Sequence, residues 1–283
     1  MSYFKSLKSP YLIAEIGINH NGDMQIAKRL IDAAFACGWD CVKFQKRNPH
    51  ACFTDAEKKA LKKTPWGEMT YLEYKERIEF NQKDYEYIDK YCKEKPIDWT
   101  ASVWDLDSLA FVASFDVPFI KIASAKLTNT ELLIASCKTN KPIMLSTGMS
   151  DLDEVDVAVD ILKSYATDFM LLHCNASYPA KTEELNLLTI KTLKDRYKCE
   201  VGYSGHEFGL EATPYAVILG AKVIERHVTL SHDMWGADQA ASIQPHAMDM
   251  LSKRVADIQK MLGDGEKRVY ESEIAIRKKL RGN

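Results

Sequence analysis

Residues 201–238 read VGYSGHEFGLEATPYAVILGAKVIERHVTLSHDMWGAD. An apolar run at Cys199–Tyr203, an amphipathic stretch at Leu210–Gly220 and a second apolar run at Lys222–Arg226 give strand, helix, strand. His206 stands just past the first strand and His227 at the tip of the second. If the strands are parallel neighbours, both imidazoles emerge from one end of the sheet. Taken singly, each reads as a hydrogen-bonded core histidine. Taken together on adjacent strand ends, the pair could hold a metal.

The same unit repeats along the chain. Strands are expected at Tyr11–Ile16, Cys41–Gln45, Ile97–Ser102, Val117–Ile122, Pro142–Ser146 and Asp168–His173, ahead of the two above. Helices are expected at Asp23–Cys37, Asp84–Lys95, Asp105–Ser114, Thr128–Thr139, Asp151–Tyr165 and Thr182–Tyr197, then at Leu210–Gly220 and 246–262. Gly38 and Pro96 stop the first two. Strict strand–helix alternation demands a parallel sheet with right-handed crossovers. Eight units favour closure into a (β/α)8 TIM barrel, an α/β fold of about 250 residues. No strand runs into a GxGxxG turn, which weakens the dinucleotide-binding alternative. A long excursion, residues 46–81, interrupts the barrel after strand two, and its PWGEMTYLEYKERIEF section carries a helix of its own. The expected organisation is one barrel domain over residues 1–265, then a charged tail over 266–283 that reads as a solvated helix.

Composition excludes several classes. The chain has 283 residues, 46% hydrophobic and 28% charged, with net charge −2, so no global attraction to nucleic acid or an anionic membrane is expected. Seven cysteines without a CxxC pair read as reduced thiols in a cytoplasmic protein. The N-terminus lacks the apolar core of a signal peptide. No apolar run approaches the roughly 20 residues that span a bilayer.

Barrel enzymes place their chemistry where strands end. Those positions hold Glu15, Lys43, Gln45, Ser102, Lys121, Ser124 and Ser146, then His173, Asn175, Tyr178, Ser204, His206, Glu225, Arg226 and His227. Lys43 lies inside CVKFQ and Lys121 inside FIKIAS, and a lysine in an apolar strand is costly unless its ammonium finds an anion. Two such lysines amid hydroxyls point to a phosphate or carboxylate site, or else to neutralisation by Glu15 or Glu225. A Schiff-base role for either lysine is the chief rival chemistry. His20 and His173 have weaker claims as site residues, with His173 placed to touch substrate or support the site. His50, His232 and His246 read as loop or surface residues. The aromatic residues of 65–80 read as packing, with a lid as the alternative.

At this point the motifs resemble a known family. AEIGINHNG (14–22), KFQ (43–45), PWGEMTYLEY (65–74), KIAS (121–124), STGM (146–149), LLHC with YP (171–179), GYSGH (202–206), ERH with TL (225–230) and MWGADQAAS (234–242) occur in order. Together they resemble the sialic acid synthase (N-acetylneuraminate synthase) family across essentially the whole barrel. The resemblance implies condensation of phosphoenolpyruvate with an open-chain aldose to give a nine-carbon 2-keto acid and phosphate, with C–O cleavage. It implies a divalent metal, Mn²⁺ or Mg²⁺, on His206 and His227. It places phosphoenolpyruvate on Lys43, Ser102, Lys121, Ser124, Ser146 and Ser204, and the sugar near Gln45, Tyr178 and Asp238. Glu15 is its candidate for positioning water or a sugar hydroxyl.

The chain also departs from the family pattern. Lys126 stands where many relatives carry a sugar-facing glutamate. Ala176 replaces an Asn or Ser, with Asn175 or Ser177 as the expected compensation. SGH stands where relatives have SDH. Many members continue into an antifreeze-like C-terminal domain, which the chain is expected to lack. Either a separate cap-domain protein supplies that part, or the acceptor does not need it, and a homo-oligomer, a dimer, is the expected assembly. The acceptors it leaves open are N-acetylmannosamine, a diacetamido sugar of the legionaminic or pseudaminic type, and mannose. A Schiff-base pyruvate aldolase and a non-catalytic sugar-binding barrel are the competing functions.

Overall fold

The computed structural model describes residues 2–7 and 10–282. The outer limits expected for the two regions, residues 1 and 283, lie outside the described residues. Eight strands form the barrel: β1 (Tyr11–Gly17), β2 (Cys41–Lys46), β3 (Asp98–Val103), β4 (Ile120–Ile122), β5 (Ile143–Ser146), β6 (Phe169–Cys174), β7 (Glu200–Gly205) and β8 (Val223–His227). They close in chain order, with β8 back on β1, and every neighbouring pair is parallel. The fold is thus the expected (β/α)8 barrel.

A helix covers the sheet after each strand: α1 (Met24–Ala36), α2 (Gln82–Glu94), α3 (Leu106–Ala113), α4 (Thr130–Cys137), α5 (Leu152–Ser164), α6 (Thr189–Tyr197), α7 (Ala212–Ile218) and α8 (Pro245–Leu262). Asp23, Asn81, Asp105, Asn129 and Asp151 start five of them, each side chain accepting from a backbone N–H of the first turn. Two expectations are corrected. β4 begins at Ile120 rather than Val117, because Pro118 has no N–H to give the ladder. The stretch Thr182–Tyr197 divides into a 3₁₀ turn (Thr182–Glu184) and α6, with Asn186 at φ 41° between them. The excursion after β2 carries the expected helix in its PWGEMTYLEYKERIEF section, with further elements before it. Short helices at Pro49–Cys52 and Asp55–Lys59 precede a hairpin (Leu61–Thr64 with Gly67–Thr70) and a helix at Tyr71–Ile78. Thr70 and Glu73 form a capping box at the start of that helix.

The barrel interior changes character along its axis. At the N-terminal end Tyr11, Ile13, Cys41, Phe119, Met144, Met170, Leu172 and Val223 pack together. A short helix, Tyr3–Ser6, plugs this end with Phe4, which is fully buried and has its ring centroid 6.1 Å from that of Phe119. Asp168 holds the plug by accepting from the Ser2 hydroxyl at 2.7 Å and the Tyr3 N–H at 2.6 Å. At the opposite end the interior positions become Glu15, Lys43, Lys121, Ser204 and Glu225, all buried. Residues Glu271–Arg281 form a helix exposed along its length. Among the described residues, no helix is long and apolar enough to cross a membrane.

Phe4→Ala should open a cavity in the plug and lower stability by about 3–5 kcal/mol. The check is the urea unfolding midpoint. A shift no larger than that of the exposed-site control Phe35→Ala would show that the plug is not a packed part of the core.

Candidate active site at the barrel mouth

Parallel register brings the strand-end residues to one level. Glu15 lies beside Lys43 on one side and His227 on the other. Ser102 lies beside both Gln45 and Lys121, and Ser204 beside both Cys174 and Glu225. The result is a cavity of about 290 Å³ whose wall includes every residue assigned above to phosphoenolpyruvate, sugar or metal.

Its floor is a buried four-charge cluster. The Lys43 ammonium contacts Glu15 directly and lies 3.6 Å from Glu225. The Lys121 ammonium lies 3.4 Å from the other Glu225 oxygen, which also accepts from the Ser204 hydroxyl at 2.9 Å. The sequence leaves an anion site and neutralisation by Glu15 or Glu225 as alternatives. In the structure the lysines are neutralised by both carboxylates and still face the cavity. Burial pushes the Glu15 carboxyl well above the usual range, against the pull of Lys43. Burial opposes ionisation of Glu225 too, but Lys121 and Lys43 outweigh it and hold that carboxyl down. For Lys43 the two carboxylates overcome burial and raise the ammonium pKa, whereas for Lys121 burial outweighs Glu225 and lowers it.

The two histidines sit on the same wall with ring centroids 5.5 Å apart. Burial, then the neighbouring His227, lowers His206 to about 4, and burial, then Lys43, lowers His227 to about 3. Both are neutral imidazoles at neutral pH. His206 Nδ1 lies against the Asn175 carbonyl, which assigns the proton to Nδ1 and leaves the Nε2 lone pair toward the cavity. The Tyr178 hydroxyl donates to that Nε2 at 2.9 Å. His227 Nδ1 is buried without a partner. These nitrogens suit a divalent cation as two ligands. Among the described residues, no group of three or more His, Cys, Asp or Glu gathers around one point, so any further ligands would come from substrate or water.

A second buried pair positions these strand ends from behind. Arg226, between Glu225 and His227, turns outward and donates to Glu207 at 2.8 Å and to the Glu207 carbonyl at 2.8 Å. Glu207 directly follows His206, so the pair ties the two histidine-bearing ends together. Gly205 makes room for it: a Cβ there would lie 2.8 Å from Glu207 and 3.0 Å from Arg226. Gly17, at φ +54°, does likewise at the end of β1, where a Cβ would lie 3.1 Å from Glu15 and 3.4 Å from His227.

Other residues are placed elsewhere. Asn175 and Ser177 do not replace the side chain missing at Ala176. Asn175 caps the Ser177 N–H at 2.8 Å and donates to the Glu184 carbonyl at 3.3 Å. Both residues line an adjoining open groove of about 800 Å³ and not the cavity, whereas Ala176 borders both. His173 also faces that groove and contacts the Leu185 carbonyl at 2.7 Å, so it does not touch the cavity. His20 stacks on Phe80 at 3.9 Å and accepts from the Gly22 N–H, a packing role. Trp66 and Tyr74 pack edge-on against Trp235, so the excursion leans over the mouth beside the loop that carries Asp238. Sequence reasoning missed Arg47, Lys75 and Trp104, which complete the outer wall. Arg47 was within reach of the strand-end rule, two residues past Gln45. Lys75 sits on the excursion helix and carried no such signal.

Comparison with known proteins adds the following. The model described as the NeuB family matches residues 30–267. An N,N'-diacetyllegionaminic acid synthase of Campylobacter jejuni is 38% identical over 94% of this chain and 81% of its own. The N-acetylneuraminate-9-phosphate synthase of Homo sapiens is 36% identical over 95% of this chain and 76% of its own. The crystal structure of an N-acetylneuraminic acid synthetase from Leptospira borgpetersenii, in complex with citrate, superposes with a TM-score of 0.85 at 32% identity, covering 98% of this chain and 94% of that one.

Glu225→Gln should leave Lys121 without an anion and lower stability by about 3–5 kcal/mol near neutral pH. Because Lys121 already has a lowered pKa, the unpaired ammonium sheds its proton as the pH rises, so the loss should shrink at alkaline pH. Urea unfolding of both proteins across pH 7–10 checks this. A loss that grows with pH would refute the assignment of Glu225 as the counter-ion of Lys121.

Proposed function

The chain belongs to the NeuB family, and on that premise we propose that it is a phosphoenolpyruvate-dependent nonulosonic acid synthase. One observation carries the reading. Strand register sets two lysines, four serines and two neutral imidazoles around a single cavity that also presents Glu15 and Asp238.

Phosphoenolpyruvate is a compact anion with a carboxylate and a phosphate. Lys43, Lys121 and the hydroxyls of Ser102, Ser124, Ser146 and Ser204 receive both groups, with Glu15 and Glu225 as counter-charges when the site is empty. The hydroxyls are partly preset: Ser124 accepts from the Gly148 N–H at 3.0 Å, and Ser204 is held by Glu225. The enol methylene carbon attacks the aldehyde carbon of the open-chain aldose, forming the C–C bond. Water adds at the former enol carbon, the C–O bond to phosphorus-bearing oxygen breaks, and phosphate leaves, giving a 2-keto acid. Glu15, beside Lys43 and His227, is placed to orient water or a sugar hydroxyl. Gln45, Tyr178 and Asp238 face the sugar side of the cavity. His206 and His227 would hold a divalent cation, Mn²⁺ or Mg²⁺, which when bound supplies Lewis-acid polarisation of the aldehyde oxygen.

Relatives differ in the product they are named for. Some are named for N-acetylneuraminate 9-phosphate, others for diacetyllegionaminic or pseudaminic acid. The acceptor class proposed here is an acetamido aldose, in the cytoplasm, with a homodimer as the working form.

The test is phosphate release across a panel of aldoses with phosphoenolpyruvate and Mn²⁺, with product mass. Release should need both substrates, fall to background in EDTA and recover with added metal. His227→Ala should cut kcat/KM at least ~100-fold. Full activity after rigorous metal removal would overturn the metal assignment. A borohydride-trapped pyruvate adduct on Lys121 or Lys43, without phosphate release, would replace the reading with a Schiff-base aldolase.

A further inference from the structure

A second pocket, of about 430 Å³, opens behind the strand ends that carry His206 and His227, and it shares no wall residue with the mouth cavity. Its walls are the loop after β7, through Glu207, Phe208 and Leu210, and the segment from Ala240 to Ala247 that runs into α8. The start of α8 is open there. The Gln244 side chain accepts no backbone N–H, and Pro245 has none to offer. Among the described residues, the N–H groups of His246 and Ala247 have no acceptor. They head a helix of 18 residues, whose dipole makes this end positive.

Arg226 adds an independent demand from the other wall. It is 1% exposed and borders the same pocket. Its terminal N–H groups go to the Glu207 carboxylate, the Thr213 hydroxyl and the carbonyls of Glu207 and Gly209. Its Nε is left buried without a partner. The Glu207 carboxylate is already satisfied, by Arg226 on one oxygen and by the Tyr203 hydroxyl at 2.8 Å on the other. What the pocket lacks is therefore acceptors, and a buried donor without one is costly. Backbone N–H groups at a helix start, with a guanidinium N–H nearby, suit an anion that presents several oxygens. TIM barrels frequently hold phosphate in this place, between the loops after strands seven and eight and a helix N-terminus. Phe208, 68% exposed, offers its ring to an organic body beside that phosphate.

We propose that this pocket binds a phosphate monoester with a planar organic body, its phosphate on the start of α8 and its ring against Phe208. The site is independent of the synthase reading, since the mouth cavity takes no part in it.

Calorimetric titration of the full chain with phenyl phosphate tests this. Phenyl phosphate should bind at least ~5-fold more tightly than inorganic phosphate, and Phe208→Ala should erase the difference. Gln244→Asp supplies the missing cap, so it should raise the thermal midpoint while weakening phenyl phosphate at least ~10-fold. His246→Glu, with a carboxylate in the first turn, should act in the same two directions. Neither variant should change the affinity for phosphoenolpyruvate by more than ~2-fold, because the mouth is a separate site. A gain in stability with a loss of binding is what an anion site gives and a structural role does not. No binding by the unaltered protein, an affinity unchanged in both variants, or competitive displacement by one equivalent of phosphoenolpyruvate would overturn the proposal. The expected pattern without turnover of any aldose would uphold the pocket and refute the synthase reading, and phosphate release from phosphoenolpyruvate without that pattern would do the reverse.

Discussion

The interaction on which the mouth depends is the buried cluster of Glu15, Lys43, Glu225 and Lys121. Removing four charges from water is costly, and their mutual attraction offsets that only when all four hold their places. Strand register supplies those places, since the groups stand on β1, β2, β8 and β4. A slip of one residue would turn each side chain to the opposite face of the sheet. The cluster is also a functional device. It keeps two ammonium groups at the bottom of a cavity while the site is empty, with carboxylates that a substrate anion can displace or share.

The apparatus around the cluster serves the same end. Arg226 and Glu207, outside the barrel wall, tie together the two strand ends that carry His206 and His227. The Asn175 carbonyl sets the His206 tautomer, and Gly17 and Gly205 leave space for the side chains that converge there. At the far end, Phe4 and Asp168 close the apolar interior. The polar mouth and the dry base thus occupy opposite ends of one barrel, and the same eight strands define both.

Most of this is legible in the sequence. The strands gave themselves away as apolar runs bounded by caps, glycines and prolines. Lys43 and Lys121 stood out because an ammonium does not belong in such a run without a partner. His206 and His227 were found by their places at the ends of successive strands. What escaped was carried by residues distant in sequence or ambiguous locally. Asn175 and Ser177 looked equivalent to cavity-facing neighbours until backbone hydrogen bonds turned them to the adjacent groove. His173 ends a strand, as the true site residues do, yet faces the groove. Lys75 reads as one more surface lysine on an amphipathic helix, until that helix is seen leaning on the mouth.

The sequence by itself determined the barrel, the end at which its chemistry sits and the residue types gathered there, because periodicity and strand-end position are local properties. Only the tertiary structure decided which charges compensate one another. Among the described residues, Lys43 and Lys121 form ion pairs with carboxylates, whereas Lys75 and Arg47 feel Asp238 and Glu79 only from a longer distance. Charge compensation depends on distances between strands and loops far apart in the chain. Those distances exist only once the barrel has closed, and they distinguish the ion-paired lysines of the floor from the cations of the outer wall.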